Sequence, residues 1–142
     1  MTLRWGLILV AFVLVAAAGC GSGRTIGATG TVVTPTDTVF TTQIQPIFDR
    51  NCAFTGCHSA DTASGGMTLD AGKSYANLVN VASSEVGPRK RVEPGNSGAS
   101  YIIEKLTQST PSVGERMPFG GEPLPADQID LIKKWIDDGA KP

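Results

Sequence analysis

Few residues in this chain can do chemistry: three cysteines, one histidine and three methionines in 142 residues. Two of the cysteines and the histidine fall together in Cys52-Ala53-Phe54-Thr55-Gly56-Cys57-His58. Two nearby thiols with an imidazole directly after the second permit three kinds of chemistry. They can close a small disulfide loop, as exported domains often do. They can join the imidazole in a zinc site, which needs a fourth ligand to be a closed structural centre. Or each thiol can add to an unsaturated carbon of a flat prosthetic ring, with the imidazole held beneath the metal at its centre. The plain alternative leaves His58 a surface residue.

The run resembles the haem-attachment motif of c-type cytochromes, in an extended form with four residues between the cysteines rather than two. The resemblance implies that Cys52 and Cys57 hold one haem c through thioethers to its vinyl groups. It also implies that His58 is the proximal ligand of the iron. Gly56 allows the tight bend that the longer loop needs. A haem with one histidine needs a sixth ligand or stays open. Met67 follows His58 closely and reads as a core residue. Met117, in Gly114-Glu115-Arg116-Met117-Pro118-Phe119-Gly120-Gly121, has the chain length to return across the opposite face. Pro118 biases Met117 toward extended backbone. The segment resembles the Met-Pro distal loop of class-I-like cytochromes c, which implies that Met117 is the distal iron ligand. A thioether is soft, and Met/His ligation raises the potential relative to two histidines.

Several short elements must position these groups. Residues 44–50 carry apolar side chains at helical spacing, with Thr42 and Gln45 placed to form a capping box and Pro46 in the first turn. A short helix begins near Ser74, and residues 100–106 form another with Ile102 and Leu106 on one face. The clearest helix spans residues 126–139, with an apolar stripe of Ile129, Ile132, Trp135 and Ile136. Pro125, Asp127 and Gly139 mark its boundaries. Trp135 reads as packing against the first helix rather than as an electron-transfer residue. Residues 89–91 are basic and either meet the haem propionates or an acidic partner, or form a solvated loop. Arg116 is a further propionate candidate. The order helix, Cys-Cys-His, loops, Met loop, amphipathic helix resembles the cytochrome c fold over residues 40–142. The fold expected is all-α, short helices and long loops around one haem.

The N-terminus reads as an export signal. Arg4 precedes an apolar run over residues 7–18, too short for a normal membrane span. Ala17-Ala18-Gly19-Cys20 resembles the bacterial lipoprotein signal, with Ala17 where Leu is usual, and implies lipidation of Cys20 as the mature N-terminus. An ordinary signal cut near Ala18 would leave Cys20 a free thiol. Gly21 rather than Asp follows the cysteine, which by resemblance to Gram-negative lipoproteins implies the outer membrane. Residues 1–19 are then the signal peptide, residues 20–39 a Thr- and Gly-rich flexible tether, and residues 40–142 the haem domain. The tether is read as spacer in preference to a short edge strand at residues 31–34.

Composition limits the function. The formal charge is −1, and removing the signal takes away Arg4 alone among charged residues, giving −2. That balance argues against a nucleic-acid partner. No acid–base pair or substrate-pocket signature is evident, so no small-molecule substrate or enzymatic activity is expected. The expectation is an electron-transfer haem protein of the bacterial envelope, attached to the membrane by its lipid and facing the periplasm or the cell surface. Its partners are envelope redox proteins. It works alone or as a module of a larger oxidoreductase. Two other classes remain: a disulfide-containing surface lipoprotein with a structural or binding role, and an open-site haem sensor or peroxidase-like protein.

Overall fold

A computed structural model describes residues 37–142, together with the strand backbone at residues 25–26 and 32–33. Cys20, the export signal and most of the tether lie outside the described residues. β1 (Thr25–Ile26) pairs antiparallel with β2 (Val32–Val33), Thr25 opposite Val33. This two-residue ladder falls within the expected spacer, at the place where an edge strand is the less favoured reading.

From residue 37 onward the architecture is all-α. α1 (Gln45–Asn51) follows without a break from a wide π-type turn over Phe40–Ile44. α2 (Ser74–Leu78), α3 (Tyr101–Thr107) and α4 (Ala126–Asp137) complete the described helices. No helix among the described residues is long and apolar enough to cross a membrane.

The first helix starts earlier than the capping-box reading of Thr42 and Gln45 places it. Thr38 N donates to Thr41 Oγ1 (2.8 Å) and Thr41 N to Thr38 Oγ1 (3.2 Å), so this reciprocal pair closes the helix start. Gln45 is instead buried. Its Nε2 donates to Asp49 Oδ1 (2.7 Å) and to the Leu69 carbonyl (2.9 Å), and its Oε1 accepts from Ser74 Oγ. The side chain is drawn into the core and is not available as a cap. The π-type turn takes the Gln45 N–H to the Phe40 carbonyl. It thereby widens the coil just ahead of Pro46, whose ring lacks an N–H and crowds a regular α turn.

The two ends of the domain meet through aromatic rings. Phe40 lies 5.2 Å from Trp135 and 5.2 Å, edge-on, from Tyr75, between ring centres. Trp135 Nε1 donates to the Lys141 carbonyl (2.7 Å) and Tyr75 Oη to the Ala140 carbonyl (2.9 Å), so neither ring is buried at the expense of its polar atom. Ile132, Trp135 and Ile136 of the α4 stripe are buried and Ile129 is half-buried. On α3, Ile103 and Leu106 face the core, while Ile102 is half-buried. Between α2 and α3 the chain folds back on itself, with bridges from Val79 to Val92 and from Ala82 to Lys90.

Candidate functional site

α1 delivers the first thiol. Cys52 terminates the helix, its N–H bonded to the Phe48 carbonyl (2.8 Å), and its side chain is buried. Burial, with a smaller contribution from Cys57, pushes the Cys52 thiol up to about 12, so it is neutral at physiological pH. The following loop closes on itself through His58 N to the Cys52 carbonyl (3.1 Å) and Cys57 N to the Phe54 carbonyl (2.9 Å). Gly56 sits at φ +89°, a conformation that a side chain resists. Cys57 is exposed, and both cysteines are free thiols.

His58 is held from three sides. Its carbonyl accepts from Leu69 N (2.7 Å), and Ser64 N reaches back to the Cys57 carbonyl (3.1 Å). His58 Nδ1 lies 2.9 Å from the Ser64 carbonyl. A carbonyl oxygen can only accept, so Nδ1 carries the proton and the lone pair is left on Nε2. That is the tautomer a metal-ligating histidine needs.

Cys52, His58 and Met117 line one cleft, which encloses about 810 Å³ counted out to its open mouth. Phe48, Leu69, Leu78, Ile102 and Leu106 make most of its wall apolar, and Met67 lines it too. Cys57 does not belong to this wall. Met117 arrives on a loop fastened to α3 at several points. Ser112 N donates to Glu104 Oε1 (2.6 Å), Lys105 Nζ to the Val113 carbonyl (3.0 Å), and Met117 N to the Lys105 carbonyl (2.7 Å). The last of these satisfies a carbonyl in the final turn of α3 that the helix itself leaves unpaired.

A polar stretch of the wall is made by Ser83, Ser84, Glu85, Arg91, Tyr101 and Lys105. Tyr101 Oη donates to Glu85 Oε2 (2.9 Å), and Lys105 Nζ lies 3.8 Å from the same carboxylate. Burial, then the hydrogen bond to Glu85, pushes the Tyr101 phenol up to about 12 and keeps it a donor. Behind the wall Arg89 pairs with Glu104, and its guanidinium lies 5.3 Å from the centre of the Tyr101 ring. Hydrogen bonds from Ser112 and then Arg89 hold the Glu104 carboxyl down to about 2.

The basic run at residues 89–91 is therefore engaged at every position: Lys90 bonds Asn80 and Glu93, and Arg91 bonds backbone carbonyls. Arg116 does not line the cleft. Sequence reasoning misses the Ser64 carbonyl, because any residue supplies one. It also misses Glu85, Tyr101 and Lys105, which only the fold-back between α2 and α3 brings near His58. Among the described residues no three His, Cys, Asp or Glu side chains gather into a group that could hold a bare metal ion. No family profile, curated protein or solved structure matches the chain.

Proposed function

We propose that residues 40–142 form a monohaem c-type cytochrome domain with a cytochrome c-like fold, which passes single electrons between redox partners of the bacterial envelope. The observation that carries this reading is His58. Its Nδ1 proton is committed to the Ser64 carbonyl, and it shares a largely apolar cleft wall with Cys52 and Met117. The donor chemistry fits a covalently held haem. A thiol, an imidazole with Nε2 free and a thioether are the groups such a ligand takes, and an apolar wall suits a flat macrocycle.

Bound haem supplies an iron that cycles between its ferric and ferrous states. The chain's own residues do the rest. Cys52 and Cys57 would hold the haem covalently, each thiol S–H adding across one vinyl group with sulfur on one carbon and hydrogen on the other. Joining both thiols requires the loop at residues 53–57 to turn Cys57 toward the cleft, a movement that Gly56 allows. His58 through Nε2 and Met117 through its sulfur would hold the iron. The apolar side chains exclude water, and Arg91 and Lys105, against the single carboxylate of Glu85, leave net positive charge beside the cleft, which favours the reduced state. Lipidation of Cys20 would tether the domain to the outer membrane.

Expression in a host competent for cytochrome maturation tests the reading. A denaturing gel stained for haem should show a coloured band at the size of the mature chain. The purified protein should give a low-spin spectrum with a methionine–iron charge-transfer band. A colourless protein contradicts the proposal, and a five-coordinate spectrum points to an open haem site instead.

A further inference from the structure

We propose that Arg91 is the positioning residue for His58, acting through the turn at Ser64–Gly66; this rests on the haem reading above. The turn has an unusual shape. Ala63 (φ 47°), Gly65 (φ 65°) and Gly66 (φ 66°) all occupy the left-handed region. Ser64 O is taken by His58 Nδ1 (2.9 Å). Gly65 O accepts from Arg91 Nη2 (3.2 Å) and from Ser84 Oγ (2.8 Å), and Gly66 O accepts from Arg91 Nη2 (3.2 Å). Arg91 Nη1 donates to the Asn77 carbonyl of α2 (2.9 Å).

One guanidinium thus ties the turn that orients the histidine to the end of a helix. Its planar fork suits this task, since it reaches carbonyls on two segments at once, which a lysine ammonium does not reproduce. Arg91 is itself anchored, with its N–H on the Val81 carbonyl (2.8 Å) and its carbonyl accepting from Ile102 N (3.0 Å). The clamp therefore connects α2, the fold-back and α3 to the ring of His58. A firm Nδ1–H···O bond makes the imidazole a stronger donor through Nε2, which favours ferric iron. Loosening the turn weakens that bond and raises the potential. Deleting the positive charge beside the cleft lowers it. The two effects have opposite signs, so the variant must keep the charge.

Arg91→Lys does so and removes the fork. In the haem-loaded protein, the His58 Nδ1 proton should exchange with solvent about tenfold faster than in the native protein. The potential should move upward. Ser84→Ala removes the neutral hold on the same carbonyl and should move both readouts in the same direction by less. It carries the test if Arg91→Lys does not accumulate. Lys90→Gln, which alters a neighbouring cation bonded to Asn80 and Glu93, should leave the exchange rate unchanged. Haem-loaded Arg91→Lys with native exchange and native potential overturns this inference alone; if it does not accumulate, haem-loaded Ser84→Ala with both native does the same. A native chain that carries no covalent haem overturns the proposed function and this inference with it.

Discussion

The surroundings of His58 select its tautomer. With Nδ1 fixed on the Ser64 carbonyl, only Nε2 is left to bind a metal. Met67 and Met117 both line the cleft, so they compete as candidates for the opposite ligand. The proposed role falls to Met117. Met117→Ala should lose the methionine–iron band and lower the potential. Met67→Leu should keep the band, at a stability cost under about 1.5 kcal/mol for a volume-conserving exchange. Optical spectra of the two variants decide between the methionines. At this scale the sequence is legible where chemistry resides in side-chain type, as with Cys52, His58 and Met117. It is silent where chemistry resides in backbone conformation. The Ser64 carbonyl reaches His58 only because the turn carrying it adopts left-handed backbone at Ala63, Gly65 and Gly66.

The helices hold these residues through contacts that vary in how far they can be foreseen. α4 is plain in the sequence, because its stripe repeats at 3.6 residues and its ends carry Pro125 and Gly139. The start of the first helix is not. Its closure comes from two exposed threonines, and a widened turn accommodates Pro46 in a way that no local propensity encodes. Trp135→Ala removes a ring packed on Phe40 and should cost about 3–5 kcal/mol in urea unfolding. A double-mutant cycle with Phe40→Leu should show coupling of about 0.5–1.5 kcal/mol. α3 makes a pH-dependent contribution through Glu104. Its carboxyl falls from 4.5 to about 2 on folding, so the folded state binds the proton less readily than the unfolded one. That stabilisation is complete above pH 4.5 and is lost as the pH falls toward 2. Glu104→Gln should therefore lower the urea midpoint at neutral pH and flatten its acid limb, the two proteins converging near pH 2.

The domain is poor in aromatic side chains. Seven aromatic residues serve the 123 residues from Cys20 onward, and two of them, Phe54 and Phe119, are exposed. The buried apolar side chains form one cluster that runs from Phe40 and Trp135 to the wall of the cleft. A domain of about a hundred residues gains stability from a large buried apolar ring, which supplies contacts that its own side chains do not. The Cys52→Ala, Cys57→Ala chain should accordingly lack a cooperative thermal transition by circular dichroism. A sharp native-like transition would argue that the fold stands without the ring. The all-α class and the helix order can be read from periodicity. The meeting of Cys52, His58 and Met117 in one cleft depends on contacts far apart in sequence, which periodicity does not carry. The central claim is that two sulfurs hold a porphyrin covalently, and the intact mass of the protein under denaturing conditions tests it most directly. The expected value is the mass of the processed chain, with its lipid, plus one haem. A mass equal to the processed chain with its lipid alone, or lower by two hydrogens as a disulfide requires, would contradict the claim.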